Sequence, residues 1–153
     1  MIAYIITLVV IVVILIYGIF KNNHDYDKIS FEESFNKAGL PIITLYNDCY
    51  PLNFLVDTGS DDNFIDTNIL QYVHYIETDD QHEVICASGS TVSKGIIVRI
   101  NDGEDTVEEK FYTIDISSVN TYKDIKINGI LGSRFCSDAK FVIDFSDMTI
   151  YSK

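Results

Sequence analysis

The sequence LNFLVDTGSDDNFID, residues 52–66, decides how the rest of this 153-residue chain is interpreted. It places an Asp-Thr-Gly-Ser tetrapeptide, residues 57–60, directly after a run of three apolar residues. A carboxylate at the end of a buried strand is costly to remove from water unless something pairs with it or uses it. Asp57 therefore either opens an ordinary turn or belongs to a functional site.

Residues 2–20, IAYIITLVVIVVILIYGIF, carry no charged side chain. As a helix they would extend about 28 Å, close to the hydrocarbon thickness of a bilayer. A cleaved signal peptide would need a basic start, a shorter apolar stretch and a small-residue cleavage site, which this segment lacks. A buried core element is the other alternative, but no polar face recurs at any period. We predict a single-pass N-terminal anchor over residues 1–20 that binds the membrane through residues 2–20. The single basic neighbour, Lys21, leaves open which side of the membrane the rest occupies.

The charge of the chain argues against several classes of partner. There are 23 acidic and 11 basic residues, so the net charge is −12. All of these charged side chains lie after the apolar segment. Such a surface does not suit nucleic acid or anionic lipid headgroups. The three cysteines, Cys49, Cys86 and Cys136, are too far apart for a zinc site or a disulfide framework. We expect buried, reduced thiols, no metal and no cofactor.

Short apolar runs separated by turn residues begin at Ile42, which predicts strands rather than long helices. The polar residues 21–39 are predicted to be a stalk, and residues 40–153 the folded domain. The predicted hairpins join IITLY to YPLNFLV around Asn47-Asp48, EVICA to TVSKGIIVRI around residues 88–90, and KFVIDF to MTIYS across Ser146-Asp147. TVEEKFYTIDI is a further strand, and short helices are predicted over residues 68–75 and 133–140. The expected fold is therefore all-β, a small closed or partly closed barrel.

The Asp-Thr-Gly-Ser turn has a chemical logic at the end of a strand. Gly59 permits close approach of another backbone, and the Thr58 hydroxyl can hold the turn by hydrogen bonds to the main chain. Asp57 then presents a carboxylate at the mouth of a cleft. One carboxylate alone is a mediocre catalyst of amide hydrolysis, whereas two that share a proton supply a base for water and an acid for the carbonyl.

Three interpretations of the turn are open on these residues alone. It can be a plain Asx or Ser/Thr turn, the phosphate loop of an actin-like ATPase, or the turn of an aspartic protease. The ATPase fold requires a much longer chain and a second phosphate loop. A calcium loop is excluded, because Asp62 stands where that loop needs glycine and Asn68 where it needs glutamate.

With a second motif, the turn resembles the retropepsin-like aspartic proteases. In that family two apolar residues precede Asp-Thr-Gly-Ser/Ala, as in LNFLVDTGSDDNFI. An apolar-apolar-Gly triplet then precedes a short helix and a closing hairpin, as Ile130-Leu131-Gly132 do in GILGSRFCSDAKFVIDFSDMTIY. The resemblance covers residues 40–152 and implies an aspartic endopeptidase in which Asp57 is catalytic. Because each chain carries one such turn, it also implies a homodimer through the active-site face, with both Asp57 carboxylates on the two-fold axis.

The resemblance also assigns roles to other residues. The substrate would be a polypeptide bound as an added strand. The residues concerned are Thr58, Gly59 and Ser60, which would support the active-site turn, Ser88, Gly89 and Ser90, which would form a mobile flap over the substrate, and Ile130, Leu131 and Gly132, which would shape the cleft.

Two features depart from the family's pattern. Viral members often have Arg directly after the triplet, whereas here Ser133 stands before Arg134. Residues 60–62, Ser-Asp-Asp, are also acidic for the rim of a cleft. The alternative function is therefore a catalytically inactive, membrane-anchored interaction domain that keeps the fold. Intact Asp57, Thr58 and Gly59 favour the enzyme.

Overall fold

The computed structural model describes residues 27–86, 89–103, 105–120 and 124–153, with only the backbone of residues 85, 86 and 89. The strands are β1 (Ile29–Ser30), β2 (Ile42–Asn47), β3 (Tyr50–Val56), β4 (Phe64–Asp66), β5 (Tyr75–Cys86), β6 (Gly89–Asn101), β7 (Thr106–Ile114), β8 (Gly129–Leu131), β9 (Phe141–Asp144) and β10 (Thr149–Ser152). The helices are α1 (Glu32–Ala38), a 3-10 helix (Thr67–Tyr72), α2 (Ser117–Asn120) and α3 (Ser133–Asp138). Strands therefore dominate the described chain.

Six strands form a closed barrel in the order β2-β3-β8-β4-β7-β6. The pairing of Tyr46 in β2 with Asn101 in β6 completes the ring. β5 is added outside the ring, on β6, and a separate sheet has the order β1-β10-β9. That second sheet contains the predicted hairpin of β9 with β10, in which Asp144 lies opposite Thr149. The predicted all-β fold with a small closed barrel is confirmed.

The β2-β3 hairpin forms where the sequence predicts it. Buried and exposed residues alternate along β2, as expected of a strand with one face in the core. Asn47 pairs with Tyr50, and Asp48 between them has φ 52°, a left-handed conformation that suits a two-residue hairpin turn. Cys49, predicted to be buried, is exposed in this turn, whereas Cys136 is buried as predicted.

The apolar interior of the barrel holds the end of β3. Phe54 and Phe111 are fully buried, with ring centroids 5.5 Å apart, and Leu131 belongs to the same buried cluster. Full burial of such a side chain contributes about 1.5–3 kcal/mol to stability. The core therefore fixes the strand that ends immediately before Asp57.

Both predicted helices form, but each ends earlier than expected. The helix predicted over 68–75 is a 3-10 helix that ends at Tyr72, because Val73 is extended and Tyr75 already belongs to β5. The helix predicted over 133–140 ends at Asp138, because Lys140 takes a left-handed φ of 52° before β9 begins. Strand formation on the C-terminal side limits both helices.

Residues 29–38, which the sequence assigned to a stalk over residues 21–39, form β1 and α1 and pack on the rest of the domain. Ile29 in β1 pairs with Ile150 in β10, and Phe31 is only 1% exposed. In α1 the buried hydroxyl of Ser34 accepts a hydrogen bond from the Ile42 N–H at 3.0 Å. Burial of an aromatic ring and a satisfied hydroxyl outweigh the polar composition that suggested a stalk. Residues 29–38 therefore belong to the folded domain, although the sequence placed its start at residue 40.

The predicted membrane anchor, residues 1–20, lies outside the described residues. Within the described ranges, every helix falls short of the length and apolar character that crossing a membrane requires. The anchor therefore stays a prediction from the sequence.

Candidate active site

The Asp57 turn lies at the end of β3, next to the triplet of residues 130–132. β8 runs between β3 and β4, parallel to β3 with Val56 opposite Leu131 and antiparallel to β4. Residues 57–63, here called the Asp57 loop, connect β3 to β4, so the loop passes over the end of the strand between them. The topology therefore brings together two motifs that lie far apart in the sequence.

Hydrogen bonds hold the Asp57 turn against the strand below it. The Asp57 N–H donates to the Leu131 carbonyl at 3.0 Å, and the Ser60 N–H donates to the Asp57 carbonyl at 3.1 Å. Asp57 Oδ1 accepts from the Gly59 N–H at 2.9 Å, which closes an Asx turn. The carboxylate is therefore oriented by its own turn as well as by β8.

The tip of the turn is open to solvent in the single chain. Thr58 and Gly59 are exposed, and Asp57 is half-buried. Neither Asp57 Oδ2 nor the Thr58 hydroxyl forms a hydrogen bond with any residue that the structure describes. The sequence predicts that Asp57 is buried against its own copy, and one chain leaves that face uncovered.

The other end of the Asp57 loop is joined to the start of α3. The Ser133 N–H donates to the Ser60 carbonyl at 2.7 Å, and the Gly132 N–H donates to Asn63 Oδ1 at 2.9 Å. A methyl group on Gly132 would lie 2.5 Å from the Asp62 carbonyl oxygen, so only glycine permits this approach. Gly132 is needed for close contact, since its φ of −83° is open to other residues.

Asn63 supports the site and was not singled out by the sequence. It is buried, and its side-chain Nδ2 donates to the Lys110 carbonyl at 3.2 Å while Oδ1 accepts from Gly132. A buried amide must find partners for both its oxygen and its nitrogen. In the sequence, Asn63 is marked only as a polar residue directly before the apolar pair Phe64-Ile65. Many loops have a polar residue in such a position, so the sequence does not single it out.

α3 places a thiol behind the site. Cys136 is buried, and its N–H donates to the Gly132 carbonyl at 3.1 Å. Burial, and to a smaller extent the negative charge of Asp57, raises the pKa of the Cys136 thiol above its usual value. Asp57 is thus close enough to the first turn of α3 to add to this rise in pKa.

β5 and β6 extend beyond the barrel as a hairpin. β6 pairs with β7 only as far as Gly95, which lies opposite Tyr112. From there outward, residues 81–86 and 89–94 pair only with each other among the described residues. These two segments are here called the flap hairpin, because they stand where the sequence predicts a flap.

The three predicted flap residues are not all turn residues. Gly89 pairs with Cys86 and Ser90 with Ile85, so Gly89 and Ser90 belong to β6. Strand pairing thus continues further along the hairpin than the sequence suggested, as far as the pair of Cys86 with Gly89. Ser88 lies outside the described residues. The role of these residues over a substrate stays a prediction.

A β-bulge and an ion pair fix the base of the flap hairpin. The pairing of β5 with β6 is irregular between Glu77 and Gln81. There Asp80 Oδ2 accepts from Lys110 Nζ at 2.7 Å and from the Tyr112 hydroxyl at 3.1 Å. The hydrogen bond from Lys110, and then that from Tyr112, lowers the pKa of the Asp80 carboxyl below its usual value. The hairpin therefore leaves the barrel at a defined point.

Each carboxylate oxygen of Asp62, in the Asp57 loop, has a basic side chain within 4 Å. Arg134 Nη1 is 3.7 Å from Asp62 Oδ1, and His82 Nε2 is 3.5 Å from Asp62 Oδ2. The extra Ser133 before Arg134 therefore does not prevent a contact between the start of α3 and the Asp57 loop. These neighbours offset part of the acidity that the sequence suggested for the rim.

The arrangement can present one carboxylate to a water molecule. Among the described residues, the Asp57 side chain accepts from the Gly59 N–H and is hydrogen bonded to no second carboxylate. Amide hydrolysis by a proton-sharing pair requires another carboxylate close to the first. A single copy of the described chain therefore supplies half of such a site.

No protein-family model matches the sequence, and no curated protein matches it either. Among solved structures, the chain is similar to the retroviral protease-like domain of Ddi1 from Leishmania major, with 13% sequence identity and a TM-score of 0.49. The match covers 74% of this chain and 88% of that chain. At this degree of similarity, a functional assignment depends on the geometry of the chain's own site.

Proposed function

We propose that this protein is a membrane-anchored, retropepsin-like aspartic endopeptidase whose site is built by two copies of the chain. The observation that carries the proposal is the attachment of the Asp57 turn to β8 and α3. The Leu131 carbonyl accepts from the Asp57 N–H, and the Ser60 carbonyl accepts from the Ser133 N–H. An ordinary surface turn has no need of such bonds at both ends, whereas a reacting carboxylate must be held in a fixed position.

Asp57 acts through water in this proposal. On the two-fold axis of a homodimer, two Asp57 carboxylates lie so close that both cannot ionise, and the pair shares one proton. The ionised partner takes a proton from the water that attacks the peptide carbonyl, and the protonated partner donates to the carbonyl oxygen. The reaction requires neither a metal nor a covalent intermediate.

The exposed tip of the turn supports an interface at this face. Thr58 and Gly59 are exposed, and Asp57 is half-buried. A second copy would cover all three, and Thr58 would then brace the turn across the dimer. Gly59, with no side chain, would allow the substrate backbone to approach closely.

The substrate is an extended polypeptide segment. It binds as an added strand between the Asp57 loop and the flap hairpin, so its alternate side chains point to opposite sides and enter separate pockets. Ser88, Gly89 and Ser90 close over it from the end of the hairpin.

Cleavage of a peptide library by the full-length protein tests the assignment. The wild-type chain should produce fragments, and Asp57→Asn should produce none. If neither folded protein produces fragments, the result favours the non-catalytic interaction domain instead.

Residues 2–20 should hold the protein in the membrane fraction. A spanning apolar helix resists high salt and alkaline carbonate, which remove peripheral proteins. Fractionation of expressing cells measures this, and a chain that begins at Lys21 is the matched control, expected in the soluble fraction. Release of the full-length protein by carbonate would contradict the anchor.

Assembly of the dimer should depend on protein concentration, salt and pH. Each copy carries a net charge of −12, so repulsion opposes contact between two active-site faces. Salt screens such charges beyond about 10 Å at 0.1 M, and confinement to a membrane raises the effective concentration. A chain lacking residues 1–20 should be mostly monomeric and nearly inactive in dilute, low-salt buffer at neutral pH. Its activity should rise more steeply than linearly with concentration, and further with added salt or as the pH falls toward about 5.

Sedimentation velocity beside a cleavage assay measures assembly and activity together. A tight dimer at nanomolar concentration in low salt would contradict the repulsion argument. A fully active monomer would contradict the shared site.

A further inference from the structure

His82 connects the flap hairpin to the Asp57 loop. It lies in β5 just beyond the bulge, where it pairs with Ser93 in β6. Its Nε2 is 3.5 Å from Asp62 Oδ2, and the Asp62 side chain is only 20% exposed. The contact therefore joins the flap hairpin to the loop that carries Asp57.

The aromatic ring of Tyr112 orients the His82 ring. The ring stacks on Tyr112, with centroids 4.9 Å apart and planes inclined by 28°. Tyr112 is itself 6% exposed, and its hydroxyl donates to Asp80. A protonated imidazole over an aromatic face gains a further favourable electrostatic contact. Nε2 is thus directed at Asp62 by packing that does not depend on the ion pair.

Arg134 holds the other oxygen of Asp62. Its Nη1 is 3.7 Å from Oδ1, whereas His82 is near Oδ2. A guanidinium stays charged at all physiological pH values, whereas an imidazole gains its charge in the weakly acidic range. Of the two partners of Asp62, only histidine is a residue type whose charge ordinarily changes between pH 5 and 8.

The other charged groups near His82 are paired or lie on the opposite face. Asp80 is bound by Lys110 at 2.7 Å. Glu83 and Lys94 belong to the two neighbouring pairs of the hairpin, one on each side of the pair of His82 with Ser93. Because side chains alternate along a strand, those of Glu83 and Lys94 point to the opposite face from His82. Among the described residues, the pair of His82 with Asp62 is the ion pair that joins the hairpin to the loop.

We propose that His82 is a positioning residue that draws the flap hairpin onto the Asp57 loop when its imidazole is protonated. The inference rests on the proposed function in one respect, namely that the hairpin covers a bound substrate. Because the Asp57 turn is held by β8 and α3 and not by the hairpin, His82 should affect substrate binding more than the chemical step. The contact is partly exposed, so its effect is modest.

Amide hydrogen exchange of the full-length protein tests the positioning without any assay of activity. His82→Phe keeps a ring for Tyr112 but removes the nitrogen that faces Asp62, and Asp62→Asn removes the opposite charge. His74→Phe is the matched control, because it removes a different histidine–aspartate pair, with Nδ1 2.5 Å from Asp48 Oδ2. Sedimentation velocity identifies conditions in which all of these proteins have the same oligomeric state, and exchange is measured under those conditions.

In the wild type and in His74→Phe, amides 82–86 and 89–93 should be about two- to fivefold more protected at about pH 5.5 than at about pH 8, after correction for intrinsic rates. His82→Phe and Asp62→Asn should lose this difference. Equal protection of the wild type at both pH values, or an unchanged difference in His82→Phe, would overturn the proposal.

Kinetics separates this inference from the proposed function. At about pH 5.5, His82→Phe should raise KM about two- to fivefold and leave kcat nearly unchanged, with no effect at about pH 8. An unchanged KM at the lower pH would show that the contact does not serve substrate binding. If the wild type cleaves no peptide at all, the proposed function fails, and the exchange experiment still decides whether His82 positions the hairpin.

Discussion

Replacement of Asp57 by asparagine should abolish peptide hydrolysis, with a loss of kcat/KM of at least about a hundredfold. The amide has the shape of the carboxylate but cannot take a proton from water or share one with a second copy. Its Oδ1 can still accept the 2.9 Å hydrogen bond from the Gly59 N–H. The turn, the barrel and the dimer should therefore remain intact while the chemistry is lost.

Mass spectrometry of a peptide library measures the fragments, and thermal unfolding with sedimentation shows that the variant is folded and assembled. Asp124→Asn is the matched control, because it makes the same chemical change at an exposed carboxylate in the loop before β8. It should cleave as the wild type does. Undiminished cleavage by folded, purified Asp57→Asn would end the assignment as an aspartic protease.

Replacement of Gly132 by alanine should have the second-largest effect. The new methyl group would lie 2.5 Å from the Asp62 carbonyl oxygen and 3.0 Å from the Asp61 carbonyl carbon, both of them backbone atoms. The Asp57 loop must move to relieve this clash, and overpacking of this kind costs about 1–3 kcal/mol of stability. Displacement of a reacting group by about 1 Å lowers activity on the order of a hundredfold.

A control variant that is destabilised to a similar extent, but far from the Asp57 loop, separates the loss of stability from the loss of activity. Gly39→Ala meets no atom within 4 Å, but Gly39 has φ +68° at the end of α1, where a side chain costs about 1–2 kcal/mol. Denaturant unfolding should show that both variants are destabilised, while only Gly132→Ala loses kcat/KM. If Gly132→Ala cleaved as well as Gly39→Ala, contact between the triplet and the loop would not matter for activity.

The hairpins could be predicted because local residue types specify them. A two-residue turn that contains Asp48 between alternating apolar residues defines β2 and β3 without help from the rest of the chain. The Asp-Thr-Gly-Ser turn was visible for a similar reason, since a carboxylate after three apolar residues is costly unless it is used. The residues immediately beside Asp57 could thus be named from the sequence.

Residues 29–38 could not be predicted, because their role depends on partners far along the chain. Their composition is mostly polar, and two phenylalanines, Phe31 and Phe35, are too few to indicate a buried face. The burial of Phe31 and the pairing of Ile29 with Ile150 exist only once β10 is in place. Long-range pairing therefore turned an apparent stalk into part of the fold.

The sequence by itself determined the strands of the three hairpins, the all-β class and the position of the carboxylate, because these depend on neighbouring residues and on alternation along a strand. Only the tertiary structure decided what surrounds that carboxylate. β8 lies between β3 and β4, so the Leu131 carbonyl and the Gly132 N–H reach the Asp57 loop, and the flap hairpin brings His82 to Asp62. Such contacts join residues from separate strands, and their cause is the order of strands in the barrel, which no local pattern of residue types encodes.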